Sequence, residues 1–271
     1  EGRLKSAAAR RRFNLSLSRC FVPQKDVVVP VDFVLPEGMA RHLADGVDEV
    51  ACGARRPALL IVTGAVSAVV PEYSQGVRQA FEREHSHTPG VQFRKGHWKI
   101  GELRKADFCL APSGWGYGWR TSLSLVAGCI PVIVQPLIHQ AFEDLLPYDD
   151  FSLRFSPEQI SQIPELLRQL PRQRVCEMRR SGHVYRRAMM WQPPFGRAYD
   201  LLMGSLCRRA LHLFAKRGEE HPPWADCASR NAEQLIQGPS GWLREVESAS
   251  VSAALSARLA SAAALAVEMI S

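Results

Sequence analysis

The sequence predicts an α/β fold built on a parallel sheet, and three observations carry the prediction. Short, near-continuous apolar runs recur at residues 58–63 (ALLIVT), 107–111 (DFCLA) and 130–134 (IPVIV), as in strands buried on both faces. Stretches of helical spacing separate these runs, and strand–helix–strand alternation builds right-handed βαβ units. A glycine-rich loop at residues 112–118 (PSGWGYG) follows the second run and opens a helix.

Taken in order, residues 1–19 form a basic linker or frayed helix, and residues 25–34 a short extended segment that Pro30 turns into a loop. After the strand at 58–63, residues 74–84 show helical spacing, with Val77, Ala80 and Phe81 on one side. A strand at 91–93, a short helix at 100–105 and the strand at 107–111 follow. A helix at 120–127 ends at Gly128, a position favouring positive φ. Beyond the strand at 130–134 come a helical turn at 142–146, a last short strand at 151–155 and an amphipathic helix at 157–170. Past Pro171 the pattern becomes one or two basic helices, broken at Pro193-Pro194, and from Ser248 the chain is Ala/Ser-rich.

With 271 residues the chain holds one large or two small domains, at roughly 150 residues each. A hydrophobic fraction of 46% and a charged fraction of 23% exclude a disordered chain, a collagen-like fibre and a polytopic membrane protein. No run of eighteen apolar residues is present. The chain begins at Glu1 rather than Met, so the missing signal peptide implies nothing about targeting.

The net charge of +7 is uneven: +5 over residues 1–19, −4 over 20–167, +10 over 168–217 and −4 over 218–271. The most structured stretch is mildly acidic, which argues against a general nucleic-acid binder. One basic helix could still meet a polyanion. Seven cysteines show no CxxC and no zinc spacing, so no metal site is expected. The pair His85 and His87 reads as part of a solvated polar loop rather than a metal site.

A loop after a parallel strand sits at the carboxyl edge of the sheet, where such folds bind ligands. Gly114, Gly116 and Gly118 let backbone approach a ligand closely, and the following helix N-terminus faces an anion. Arg120 adds a planar, permanently charged fork suited to phosphate oxygens. These parts make a diphosphate cradle; the alternative is a tight glycine turn with a surface arginine. A dinucleotide dehydrogenase would end the next strand on an acid, whereas Gln135 stands there.

The run KADFCLAPSG, a following arginine, then GCIPVIV and FEDLLPYDDFSL resembles the exostosin-like glycosyltransferases. Upstream, CFVPQKDVVVP and YSQGVRQ resemble the same family in the same order, so the likeness covers about residues 20–170. The resemblance implies a GT-B-type glycosyltransferase whose Rossmann-like C-terminal half, residues 58–170, holds the nucleotide sugar. Residues 20–57 would be a remnant of the acceptor-side half, residues 171–223 basic C-terminal helices, and residues 224–271 a helical or disordered tail. The implied activity is inverting transfer of a sugar, with a UDP-sugar as the favoured donor, to a glycan or glycoprotein acceptor. No obligatory metal or other cofactor is implied, and the family setting is the lumenal face of the Golgi membrane, reached through a segment absent from this chain.

By position, Ser113, Gly114 and Arg120 match the family's diphosphate loop, with Gly116 and Gly118 beside them. Asp144 or its neighbour Glu143 matches the acid expected on the donor ribose, since a carboxylate accepts two vicinal hydroxyl bonds. Two departures stand out: Gly118 replaces a serine common before the loop arginine, and Ala141 a proline common before Phe142. Trp115, Tyr117 and Trp119 could stack on a base or sugar, or pack as a lid. No residue is singled out as the catalytic base, and Arg78 reads as an exposed helix charge, the alternative being that it reaches the donor phosphates if its helix faces the cleft. In the family's lumenal compartment a Cys109–Cys129 disulfide is an expectation, with free buried thiols the alternative. Two rival readings remain: an inactive exostosin-like fold, and a glycan- or nucleic-acid-binding module acting through residues 168–217.

Overall fold

The structure, a computed structural model, describes residues 22, 26–32, 56–64, 73–95, 99–114, 119–136, 138–192, 195–218, 234 and 236. Five parallel strands form one sheet: β1 (Ala58–Thr63), β2 (Val91–Arg94), β3 (Ala106–Pro112), β4 (Ile130–Val134) and β5 (Leu153–Arg154), in the order β2-β1-β3-β4-β5. All four pairings are parallel. This is a Rossmann-like, doubly wound α/β arrangement, as the sequence predicts.

β3 and β4 are buried at every position, so neither face has a polar alternation. One face packs Leu60, Val62, Phe108, Leu110 and Val132 against α1 (Val77–His85) and the segments that follow β5. The other sets Ile61 and Cys109 against Leu123 and Ala127, around α3 (Arg120–Val126). α2 (Ile100–Leu103) leads into β3. α3 stops where Gly128 takes φ 71°, a left-handed value that an L side chain adopts at a cost.

The 3-10 helix Pro157–Gln162 is opened by a capping box between Ser156 and Gln159 and runs into α5 (Ile163–Gln169). α6 (Arg172–Tyr185) and α7 (Ala198–Arg217) complete the domain. Among the described residues no helix is long and apolar enough to cross a membrane.

Local differences from the sequence reading are few. Residues 142–146 are a turn rather than a helical one, because Phe142 sits at φ 50° with its N–H on the Val28 carbonyl at 2.8 Å. The last strand shrinks to Leu153–Arg154, since α4 (Tyr148–Phe151) coils to bury Phe151. Residues 157–170 split into the 3-10 helix and α5. His85 is buried, its Nε2 on the Ile160 carbonyl at 2.7 Å, so the expected solvated pair is not one. Cys109 and Cys129 form the disulfide, and Cys176 and Cys207 are also disulfide-bonded. The expected linker at 1–19, the Pro193-Pro194 break and all of the tail but Gln234 and Ile236 lie outside the described residues.

Candidate functional site

The strand order reverses between β1 and β3, and ligands of open parallel sheets bind above the carboxyl ends at such a point. β1 delivers Thr63 there, and the chain then turns at Gly64 with φ 102°. β3 delivers Ser113 and Gly114 just past its end. Arg78 arrives from the first turn of α1, and Arg120 is the first residue of α3.

The two arginines converge. Arg78 Nη1 donates to the Thr63 carbonyl at 2.8 Å, and Arg120 Nη1 to the Thr63 hydroxyl at 2.7 Å. A Cβ on Gly64 would lie 2.7 Å from Arg120 Nη2 and 2.8 Å from Arg78 Nη1. The guanidiniums therefore occupy the space a side chain at position 64 would take. Their carbon centres lie 5.3 Å from the Tyr73 ring and 5.2 Å from the Trp119 ring respectively, a cation–π backing for each.

Both residues are buried, with Arg78 only 2% exposed. The sequence reading of Arg78 as a surface charge is thus overturned. It shares the buried face of α1 with Val77, Phe81 and His85, and that spacing was the available signal. Burial lowers the Arg78 guanidinium below its ordinary value. Burial, and then the charge of Arg78, pushes Arg120 down to about 10. Among the described residues no carboxylate pairs with Arg78. Two like charges held together out of water disfavour each other, and an anion lodged between the forks would offset both.

The backbone is shaped around this point. Ser74, Gln75 and Gly76 take φ 55°, 55° and 78° in succession, and such left-handed geometry costs about 1–2 kcal/mol for each non-glycine residue. The Ser74 N–H donates to the Gly114 carbonyl at 3.0 Å, and Ser74 Oγ accepts the Arg78 N–H at 3.2 Å. The strained turn therefore ties the loop after β3 to the residue that carries the guanidinium. Ser113 is fully buried, and its Oγ has no partner among the described residues. α3 has seven residues, too short to add much dipole, so the guanidiniums supply the positive charge.

Of the other expected site residues, Gly116 and Gly118, with Trp115 and Tyr117, lie outside the described residues. The acid pair is divided. Glu143 Oε1 pairs with Arg154 of β5 at 2.7 Å, and its Oε2 accepts the Gln140 N–H at 2.6 Å. Asp144 Oδ2 accepts from Ser205 Oγ and Arg209 Nη1 of α7, each at 2.9 Å. Arg209 also reaches the Asp26 carbonyl at 2.9 Å, so Asp144 fastens α7 to the sheet domain. Among the described residues no three His, Cys, Asp or Glu side chains gather as metal ligands.

Part of the basic segment is turned inward. Arg179 pairs with Asp107 at the start of β3, Arg197 with Asp200 at 3.0 Å, and Arg209 with Asp144. Arg179, Arg186, Arg197 and Arg209 are all buried. Part of the charge that the sequence concentrates at 168–217 is thus spent inside the domain, in these four arginines.

Comparison with known proteins agrees with this architecture. The family model described as the exostosin GT47 domain matches residues 4–170. A probable beta-1,4-xylosyltransferase of Arabidopsis thaliana is 26% identical over 163 residues, covering 56% of this chain and 39% of the relative. A probable glucuronosyltransferase of Oryza sativa subsp. japonica is 26% identical over 56% of this chain and 37% of its own length. Another from the same species reaches 28% over 56% and 38%. The matched stretch thus spans about two fifths of these relatives. With the family model matching well over half of its residues, the chain belongs to the exostosin GT47 family of glycosyltransferases.

Proposed function

We propose that this chain is the donor-binding part of an inverting glycosyltransferase that moves a sugar from a nucleotide sugar, with UDP as the nucleotide, to a glycan acceptor. The observation that carries the reading is the convergence of Arg78 and Arg120 over Gly64 at the β1/β3 crevice. A diphosphate fits that pair in charge and geometry. Relatives bearing xylosyltransferase and glucuronosyltransferase names support a pentose or uronic acid as the transferred sugar.

As the bond from the anomeric carbon to the diphosphate oxygen breaks, negative charge builds on the leaving group. Guanidiniums already oriented by Thr63 stabilise that charge without reorganising, which is why the reading calls on no metal ion. Inversion requires the acceptor hydroxyl to attack from the opposite face and give its proton to a base. No described residue is assigned that role. Of the two acids, Glu143 is taken as the ribose partner: Arg154 and the Gln140 N–H hold its carboxylate beside the sheet edge, with lone pairs left for two hydroxyls, whereas Asp144 ties down α7. The Golgi lumen is the proposed compartment, supported by the Cys109–Cys129 disulfide, since such bonds persist where conditions are oxidising.

The test is a thermal-shift titration with UDP, GDP, ADP and NAD on the wild type, Arg78→Ala and Arg120→Ala. A ligand at a hundredfold excess over its Kd adds about 2.7 kcal/mol to the folded state. UDP-selective stabilisation that disappears in both variants is the expected result. A folded wild type indifferent to every nucleotide would overturn the reading in favour of an inactive fold.

A further inference from the structure

The two ends of the candidate site are joined by a buried amide relay that neither the family match nor the site residues above account for. Gln135, at the carboxyl end of β4, donates from Nε2 to the Thr121 hydroxyl and to the Ala111 carbonyl, both at 3.1 Å. Its Oε1 accepts from Gln140 Nε2 at 3.2 Å, and that same Nε2 reaches the Ile138 carbonyl at 3.3 Å. The backbone N–H of Gln140 then holds Glu143 Oε2 at 2.6 Å. Thr121 adjoins Arg120, so a continuous line of bonds runs from the guanidinium pair to the Glu143 carboxylate.

We infer that Gln135 and Gln140 are positioning residues that set the spacing between the anion-binding arginines and Glu143, and so select a ligand carrying both a diphosphate and a ribose diol. Gln135 is 6% exposed and Gln140 1% exposed, so both amides work out of water, where a hydrogen bond fixes geometry strongly. The relay is not optimised for stability, because Gln140 Oε1 is buried without a partner among the described residues. An amide kept at such a cost fits a task of placement.

Gln140 also stands at the start of the turn containing Phe142 at φ 50°. Anchoring its side chain to β4 fixes where that turn, and the carboxylate on it, departs from the sheet.

This inference rests on the donor-site reading, and the experiment separates the two. Calorimetric binding of UDP, 2′,3′-dideoxy-UDP and inorganic pyrophosphate is measured on the wild type, Gln140→Met and Thr121→Val. Thr121→Val removes only the hydroxyl at the far end of the relay, so a folding failure of Gln140→Met does not stop the test. Each variant is expected to lose about fivefold to tenfold in UDP affinity, the worth of one or two hydrogen bonds. Pyrophosphate and the dideoxy nucleotide, which lack the diol, should bind wild type and variants alike. Equal losses for all three ligands, or no loss for UDP, would overturn the positioning role while leaving the donor site standing. A wild type that binds none of them removes both.

Discussion

Arg78 and Arg120 are fastened to the same residue, one to the carbonyl of Thr63 and the other to its hydroxyl, at 2.8 and 2.7 Å. Two helices whose arginines are 42 positions apart in sequence thereby present one doubly charged surface. The parallel sheet makes this possible: β1 and β3 are neighbours, so the elements that follow them open side by side. Thr63 contributes both bonds because it is the last residue of β1, with its carbonyl and side chain directed at the crevice.

The glycine that follows is the first point to test. In Gly64→Ala the new methyl would meet the tips of both guanidiniums, and φ 102° is unfavourable for any L residue. The tips are flexible, so they move aside and the backbone strain of about 1–3 kcal/mol remains. Urea unfolding should record that modest loss, and pyrophosphate binding should fall by more than about tenfold as the forks separate. A variant that keeps full pyrophosphate affinity would show that the arginine pair is not the anion site.

The pH dependence of anion binding follows from the lowered Arg120. Burial, reinforced by Arg78, brings it from the ordinary arginine value down to about 10. The folded chain releases this proton before the unfolded chain does, so its contribution to stability grows as pH climbs between those values and is lost below them. A bound anion favours the charged form, so affinity should decline as pH passes through about 10. Lysine starts roughly two units lower than arginine, and Arg120→Lys should shift the decline downward by a similar amount. Pyrophosphate titrations of both proteins from neutral to alkaline pH check this, the difference cancelling the ligand's own ionisation. Superimposable profiles would mean that residue 120 does not face the anion.

Much of the frame was legible before any coordinates. Residues 58–63 and 130–134 fall on β1 and β4 because strands buried on both faces carry no polar interruption. Gly128 ends α3 at the position its chemistry favours, with φ 71°. What escaped depends on long-range contacts. Phe142 leaves helical geometry because its N–H finds Val28, more than a hundred residues earlier. Arg78 sits on a helix that looks amphipathic with a charged edge, and only the strand order reveals that this edge faces the switch point. The basic helices read as a segment that could meet a polyanion because their acids, Asp107 and Asp144, lie 72 and 65 residues away from their partners.

The Cys109–Cys129 bridge joins the middle of β3 to the entry of β4 beneath α3. It closes a loop of 20 residues, for which chain entropy gives about 3 kcal/mol of stabilisation. Cys109→Ala with Cys129→Ala should lower urea stability by about that amount. Alkylation of unreduced wild type should leave both cysteines unlabelled. Labelling of either would place the folded domain in its dithiol form.

The inward turn of the basic segment gives the sharpest test of what its charge is for. Asp107 lies at the start of β3, its carboxylate hydrogen-bonded to Arg179, which is 6% exposed, with Arg172 at 3.8 Å. Asp107→Asn leaves the Arg179 guanidinium buried without its counter-charge, a change that typically costs about 3–5 kcal/mol. Replacing both partners together, as Asp107→Leu with Arg179→Met, removes the uncompensated charge and should recover most of that loss. If residues 168–217 instead served to bind a polyanion, Arg179→Met would mainly reduce the salt-sensitive affinity for heparin and leave stability unchanged. Urea unfolding of the three variants beside heparin retention at two salt concentrations distinguishes the outcomes. The buried pair predicts a large stability loss in each single variant, recovery in the double, and no change in heparin retention among variants that remain folded.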